Sequence, residues 1–256
     1  MSHISYSELK NWHHCPYYHK LVNIEKIKIF QGNEYTAFGT ALHSVCEDLL
    51  TEEVSISKPE LFNQKFRDEI KKLNSEELNK KLVISMFEQG GKLSEQVLPS
   101  LEKYFDDCEV FMAEEKLYEP ISGFDDYLFK GYVDLILKEG DNYHIIDWKT
   151  CSWGWDNRKR SDKMIIYQLV LYKHFFCQKY GINPKMVHTH FGLLKRTSKK
   201  DIVELFKVTS GPKRVENALE LLYKAIKTIK SGVHIKNKLS CTSGYGCEFY
   251  KTKHCN

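Results

Sequence analysis

Two aspartates set into apolar β-runs, thirteen residues apart, are the strongest constraint on what this 256-residue chain can fold into. Asp134 closes Gly131-Tyr132-Val133-Asp134, and Asp147 interrupts Ile145-Ile146-Asp147-Trp148-Lys149. Glu139-Gly140-Asp141-Asn142 between them reads as a turn, so the segment is expected to fold as an antiparallel hairpin with the carboxylates side by side. Alternation with period two then puts Lys149 on the face of Asp147. Two acids and a lysine leaving apolar strands are costly unless something holds them together. A divalent cation supplies that reason, because carboxylates suit Mg²⁺ or Mn²⁺, which keeps waters and takes phosphate oxygens. A surface hairpin with an ordinary ion pair between Asp134 and Lys149 is the alternative these residues leave open.

The rest of the chain surrounds that hairpin with helices. Ser5-x-x-Glu8 is a capping box, placing a first helix from Tyr6 to Cys15-Pro16. Phe38, Leu42, Val45 and Leu49 recur at helical spacing, predicting a helix from about Thr36 to Leu50. Residues 59–106 read as further helix, broken at Gly90-Gly91 and at Pro99. After Asp107 the period changes: strands are expected over 109–118, 127–138, 142–149, 186–194 and 201–208. A helix over Ile165–Tyr180 ends at Gly181, and another runs from Pro212 to Lys230. The order indicates an α/β fold with an N-terminal helical part packed on the core. We expect one compact unit with a helical region over 1–107, a core over 108–235 and a cysteine segment over 236–256. With 42% apolar and 13% aromatic residues the chain is not disordered, and it has no 18-residue uncharged apolar run to span a membrane. MSHISYSELK is no secretory signal, so a soluble cytoplasmic protein is expected.

Four local patterns, in order along the chain, resemble the PD-(D/E)XK nuclease superfamily, and within it the RecB-like exonucleases that include the CRISPR adaptation nucleases. Gly39-Thr40-Ala41-Leu42-His43 is similar to their Gly-x-x-x-His motif, after an opening Ser5-x-x-x-Leu9 and Cys15-Pro16. Gly131-x-x-Asp134 and Asp147-Trp148-Lys149 resemble the paired acid and acid-x-Lys motifs, and Gln168-x-x-x-Tyr172 the Gln-x-x-x-Tyr motif. The resemblance implies a restriction-endonuclease-like mixed sheet flanked by helices, and a metal-dependent DNA exonuclease acting on single strands or duplex ends in replication, recombination or repair. Asp134, Asp147 and His43 would hold the metal, with the Trp148 backbone carbonyl a further ligand. The imidazole nitrogen biases the site toward Mn²⁺ over Mg²⁺. Lys149 would position the attacking water and stabilise phosphate charge. Gln168 and Tyr172, four apart on one helix face, would bind the scissile backbone. Glu114 or Glu115 adds a carboxylate, and Glu115 is the expected one. Read without the family, His43 is a histidine on an apolar helix face and Tyr172 a core residue.

Eight cysteines in a chain without an export signal point to metal rather than disulfides for any clustered set. Cys46, Cys108 and Cys177 read as small buried hydrophobes. Cys15 with Cys241, Cys247 and Cys255 resembles the iron–sulfur version of these nucleases, in which a 4Fe–4S cluster staples the chain ends. Four thiolates equally suit structural Zn²⁺, and His254 is a substitute ligand. Arg158, Lys159, Arg160, Lys195 and Arg196 are expected to form a cationic DNA-binding rim, with Trp153 and Trp155 stacking on unpaired bases or anchoring the loop. Partners would be DNA and replication or recombination proteins. A non-catalytic nucleic-acid-binding module and a flap or junction endonuclease are the competing functional classes.

Overall fold

A computed structural model describes residues 1–51, 54–244 and 246–255. In chain order the main elements begin with β1 (Ser2–Ser5), α1 (Tyr6–His14) and α2 (Pro16–His19). The helices α3 (Glu34–Thr51), α4 (Lys58–Lys71) and α5 (Lys80–Tyr104) follow. Next come the strands β2 (Glu109–Ile121), β3 (Phe124–Glu139) and β4 (Asn142–Cys151). The chain continues through α6 (Asn157–Arg160), α7 (Lys163–Tyr180), β5 (Val187–Lys195), β6 (Val203–Val208) and α8 (Pro212–Lys230). The Ser5/Glu8 capping box is formed, with Ser5 Oγ accepting from Glu8 N and Glu8 Oε2 from Ser5 N. Asp162 caps α7, and Gly181 at φ 65° ends it in the left-handed region that L-residues avoid.

The chain forms two compact units. The larger comprises Gly32–Leu117 and Tyr132–Ser210 and contains all of the candidate catalytic residues. Its strands give a mixed sheet: β3 pairs antiparallel with β4, β4 parallel with β5, and β5 antiparallel with β6. Helices α3, α4 and α5 bring Phe38, Phe62, Phe66, Met86 and Val97 into one core with Leu135, Ile146, Trp148 and Leu194 from the strands. The second unit comprises Met1–Gln31, Tyr118–Gly131 and Gly211–Asn256, with β1 laid parallel along Tyr127–Lys130.

Three expectations need correction. The boundaries at 107/108 and 235/236 do not mark the units, because α3–α5 share a core with the strands instead of forming a region of their own. The break at Gly90-Gly91 and Pro99 is absent, and α5 runs through all three residues. Packing overrides propensity there: a Cβ on Gly90 would sit 2.0 Å from Phe62 Cζ, so the missing side chain is what lets α4 lie against α5. β1 has no counterpart among the expected strands, since four residues are too few to show an alternation.

Candidate active site

The site begins where the β3–β4 ladder stops. Its register runs from Glu139↔Asn142 to Leu135↔Ile146. One residue further on, Asp134 does not continue the ladder; its Oδ2 accepts from Trp148 N at 2.7 Å. The indole of Trp148 is buried, and it lies so close to Gly192 of β5 that a Cβ there would meet the ring at 2.3 Å. This packing fixes the backbone between Asp147 and Lys149. Gly39 plays the matching part on α3, since a Cβ would come within 3.2 Å of Thr150 Oγ1 on β4. One helical turn beyond that close approach, His43 Nδ1 reaches to 3.6 Å from Asp134 Oδ2.

Asp147 is 1% exposed. Lys149 Nζ stands 2.5 Å from its Oδ2, so the buried carboxylate is paired with the ammonium of its own strand. Burial pushes the Asp147 carboxyl up to about 6, against the attraction of Lys149 and with added repulsion from Asp134. Asp134 is likewise raised to about 6, chiefly by burial, with Glu114 and Glu47 pushing in the same direction. Burial lowers His43 to about 4, so its imidazole is neutral, with a lone pair to offer, at physiological pH. Two buried carboxylates forced upward and a neutral imidazole beside them fit a divalent cation held by oxygen and nitrogen donors.

Glu47 and Glu114 are the residues the sequence reading missed or misjudged. Glu47 lies four residues after His43, on the same face of α3, and that spacing was the available signal. Glu115 is engaged elsewhere: it accepts from Tyr180 Oη at 2.8 Å and pairs with Lys179. Met112, three residues before it, meets the same Tyr180 hydroxyl. On a regular strand, positions three apart face opposite ways. Glu114 at φ 49° breaks the alternation between them, and Glu114 is the acid that bears on Asp134.

Gln168 Nε2 donates to Tyr172 Oη at 3.2 Å, so these two residues pair on one face of α7. Because β4 and β5 are parallel, the helix joining them runs back along β4. Tyr143 of β4 meets Phe176 of α7 at 5.8 Å between ring centres. Eight residues back along α7, Gln168 is displaced by about 12 Å, and four residues along β4, Asp147 by about 13 Å. Gln168 therefore stands at the Asp147 end of the strand.

The cationic rim is only partly available. Glu204 takes both Arg160, at 2.5 Å, and Lys195, at 3.2 Å. Arg196 donates to Gln89 at 2.6 Å and lies over the Tyr35 ring. Arg158 and Lys159 instead line an open cavity of about 550 Å³ with Trp153, which is 73% exposed. Trp155 is buried against Phe191 and anchors the loop. A larger cavity of about 920 Å³, bordered by Lys92, Lys103, Lys199 and Lys200, contains none of the catalytic candidates.

In the second unit, Cys15, Cys241, Cys247 and Cys255 line one cavity of about 330 Å³. Asn237 N donates to Cys15 Sγ at 3.3 Å. Burial raises the Cys247 thiol, and the other three cysteines raise it further.

A model of the PD-(D/E)XK nuclease superfamily matches residues 3–252. Among solved structures, the chain is similar to a candidate exonuclease from Eubacterium rectale determined at 2.19 Å resolution. The TM-score is 0.64 at 12% identity, covering 94% of this chain and 86% of that one, which is a likeness of fold. No curated protein matches the chain in sequence.

Proposed function

The chain belongs to the PD-(D/E)XK nuclease superfamily, and on that premise we propose that it is a metal-dependent DNA exonuclease. It hydrolyses phosphodiester bonds in single-stranded DNA or at duplex ends, in replication, recombination or repair. The observation that carries the reading is the buried Asp134/Asp147 pair, with His43 3.6 Å from Asp134 and Lys149 paired to Asp147. A binding module gains nothing from carboxylates facing a phosphate.

His43, Asp134 and Asp147 would hold the catalytic Mg²⁺ or Mn²⁺, with the Trp148 carbonyl a further ligand and Glu47 and Glu114 adding negative charge. Bound there, the ion supplies Lewis-acid neutralisation of phosphoryl oxygens and a hydroxide-like water near neutral pH. Asp147 keeps the Lys149 ammonium at the site, where it orients the water and stabilises charge developing on the phosphate. Gln168 and Tyr172, already paired, offer an amide and a hydroxyl to the strand backbone. Exposed Trp153 with Arg158 and Lys159 suits an unpaired strand, since an indole stacks on any base while the cations track phosphate. The fold-level likeness to a candidate exonuclease leans the same way. The four-cysteine cavity is read as a 4Fe–4S site, with structural Zn²⁺ as the alternative occupant.

The test is cleavage of labelled linear and covalently closed single-stranded DNA with Mn²⁺ or EDTA. Metal-dependent loss of linear DNA from its ends is expected, with closed circles spared. Asp134→Ala or Lys149→Ala should lower the rate by at least ~10²-fold with the circular dichroism unchanged. Undiminished cleavage by either variant refutes the site, and cutting of closed circles refutes the exonuclease assignment.

A further inference from the structure

At the far end of β4 from Asp147, and on its other face, lies a second set of metal-ligating side chains. His144 and Asp147 are three residues apart, so they point to opposite sides of the strand. His144 Nε2 lies 3.2 Å from Glu139 Oε2, across the β3–β4 turn. Cys108, in the segment between α5 and β2, completes the group: one ligand atom from each of Cys108, Glu139 and His144 lies within 4.8 Å of the others. Cys108 was expected to be a buried hydrophobe, but it is half-buried and faces Glu139 electrostatically.

Behind His144 stands a second, buried imidazole that fixes the orientation of its ring. His144 Nδ1 is 3.1 Å from His190 Nε2 on β5, and His190 is 3% exposed with Nδ1 lacking a hydrogen-bond partner among the described residues. Two neutral imidazoles can share that contact only if one donates and the other accepts. His144 donating from Nδ1 leaves its Nε2 lone pair directed at Glu139, and it requires the proton of His190 to sit on the unpartnered Nδ1. That is the arrangement a metal-ligating histidine takes when a second group fixes its tautomer and ring orientation. The ring of Phe105 packs on both imidazoles and holds them in place. In the other tautomer His144 donates from Nε2 to Glu139 and accepts at Nδ1 from His190 Nε2, so a cation arriving beside Glu139 takes the place of that proton and shifts the pair to the tautomer that offers it the Nε2 lone pair.

We propose that Cys108, Glu139 and His144 form a Zn²⁺ site, with His190 as the positioning residue behind His144. Thiolate, imidazole and carboxylate together are the donor set of Zn²⁺ rather than of Mg²⁺ or Mn²⁺. The 3.2 Å between His144 Nε2 and Glu139 Oε2 is already close to the edge of a tetrahedron with legs of about 2.0–2.1 Å, which is about 3.3 Å. Cys108 need close by only about an ångström to reach its place at about 2.3 Å from the ion. Asp106 and Asp107 add negative charge beside the thiol. Three protein ligands leave a fourth position for water, and the ion would tie the start of β2 to the β3–β4 turn.

The experiment titrates Zn²⁺ into the full-length chain in competition with a chromophoric zinc chelator. Cys108→Ser, His144→Gln and His190→Phe are compared with the wild type, and Cys15→Ser controls for the terminal cysteines. The wild type and Cys15→Ser should retain one equivalent that Cys108→Ser and His144→Gln bind at least ~100-fold more weakly. His190→Phe should weaken it by roughly 10–100-fold, the usual cost of losing a partner behind a ligand. Cys108 is half-buried, so its serine variant should keep the wild-type circular dichroism even where His190→Phe does not. Equal Zn²⁺ stoichiometry and affinity in the wild type and Cys108→Ser overturns the proposal, as does loss of that equivalent in Cys15→Ser alone. Neither result depends on DNA cleavage, so the site stands or falls separately from the nuclease reading.

Discussion

Replacing Asp147 by Asn should stabilise the metal-free protein while abolishing cleavage. The carboxyl is raised from 3.8 to about 6, with burial the largest cause. Its folded value lies above its unfolded one, so the native state holds a proton that the unfolded chain releases as pH passes 4. Between pH 4 and 6 stability falls, and above 6 the full cost of a buried charge remains. The shift is roughly 2 units at ~1.4 kcal/mol each, so that cost is about 3 kcal/mol. Solvent does not reduce it, because the residue is 1% exposed. Asparagine keeps the shape and removes the charge. In EDTA at pH 8 the variant should therefore melt higher by roughly 6–12 °C, at 2–4 °C per kcal/mol for a chain of this size. The gap should close toward pH 4, where the unfolded carboxylate is protonated too. Saturating Mn²⁺ should then raise the wild type by ~2.7 kcal/mol at a hundredfold excess over Kd and the variant by much less. Thermal and urea melts across this pH range are the assay. A variant no more stable than wild type at pH 8, or a gap of equal size at pH 4 and pH 8, refutes the argument that Asp147 is a charge held for a cation.

Two further outcomes are expected, the first from the proposed cysteine-held cluster and the second from packing. Anaerobically purified protein should be brown and absorb near ~400 nm, with the colour lost in Cys15→Ser or Cys247→Ser; a colourless protein with stoichiometric zinc on these cysteines would replace the iron–sulfur reading. Gly192→Ala should cost about 1–3 kcal/mol of stability, read as a lower urea midpoint at unchanged slope, because its Cβ would lie 2.3 Å from the buried Trp148 ring; an unchanged midpoint would show that the ring has room to move.

Much of the local structure could be read from the residues, because its causes are local. Ser5 and Glu8 cap α1 through bonds three residues apart, and α8 spans the expected Pro212–Lys230. The Glu139–Asn142 turn pairs β3 with β4 in the register that brings Asp134 opposite the Asp147 end of the ladder. The Gly39–His43 spacing is one helical turn, and the structure uses it to bring the imidazole to 3.6 Å from Asp134.

What escaped the sequence depends on partners far away along it. Gly90 continues α5 because Phe62, twenty-eight residues earlier, fills the space of its side chain. Glu114 bears on Asp134 in place of Glu115 because one left-handed residue shifts the alternation of β2. Glu204 draws Arg160 and Lys195 out of the expected cationic rim, and Cys108 meets His144 only because α5 ends beside the β3–β4 turn. Periodicity and capping act over three or four residues and are written in the chain. Which charges face one another, and which are left for a metal or a phosphate, is decided by contacts between distant segments, whose energies exist only once the core has closed around them.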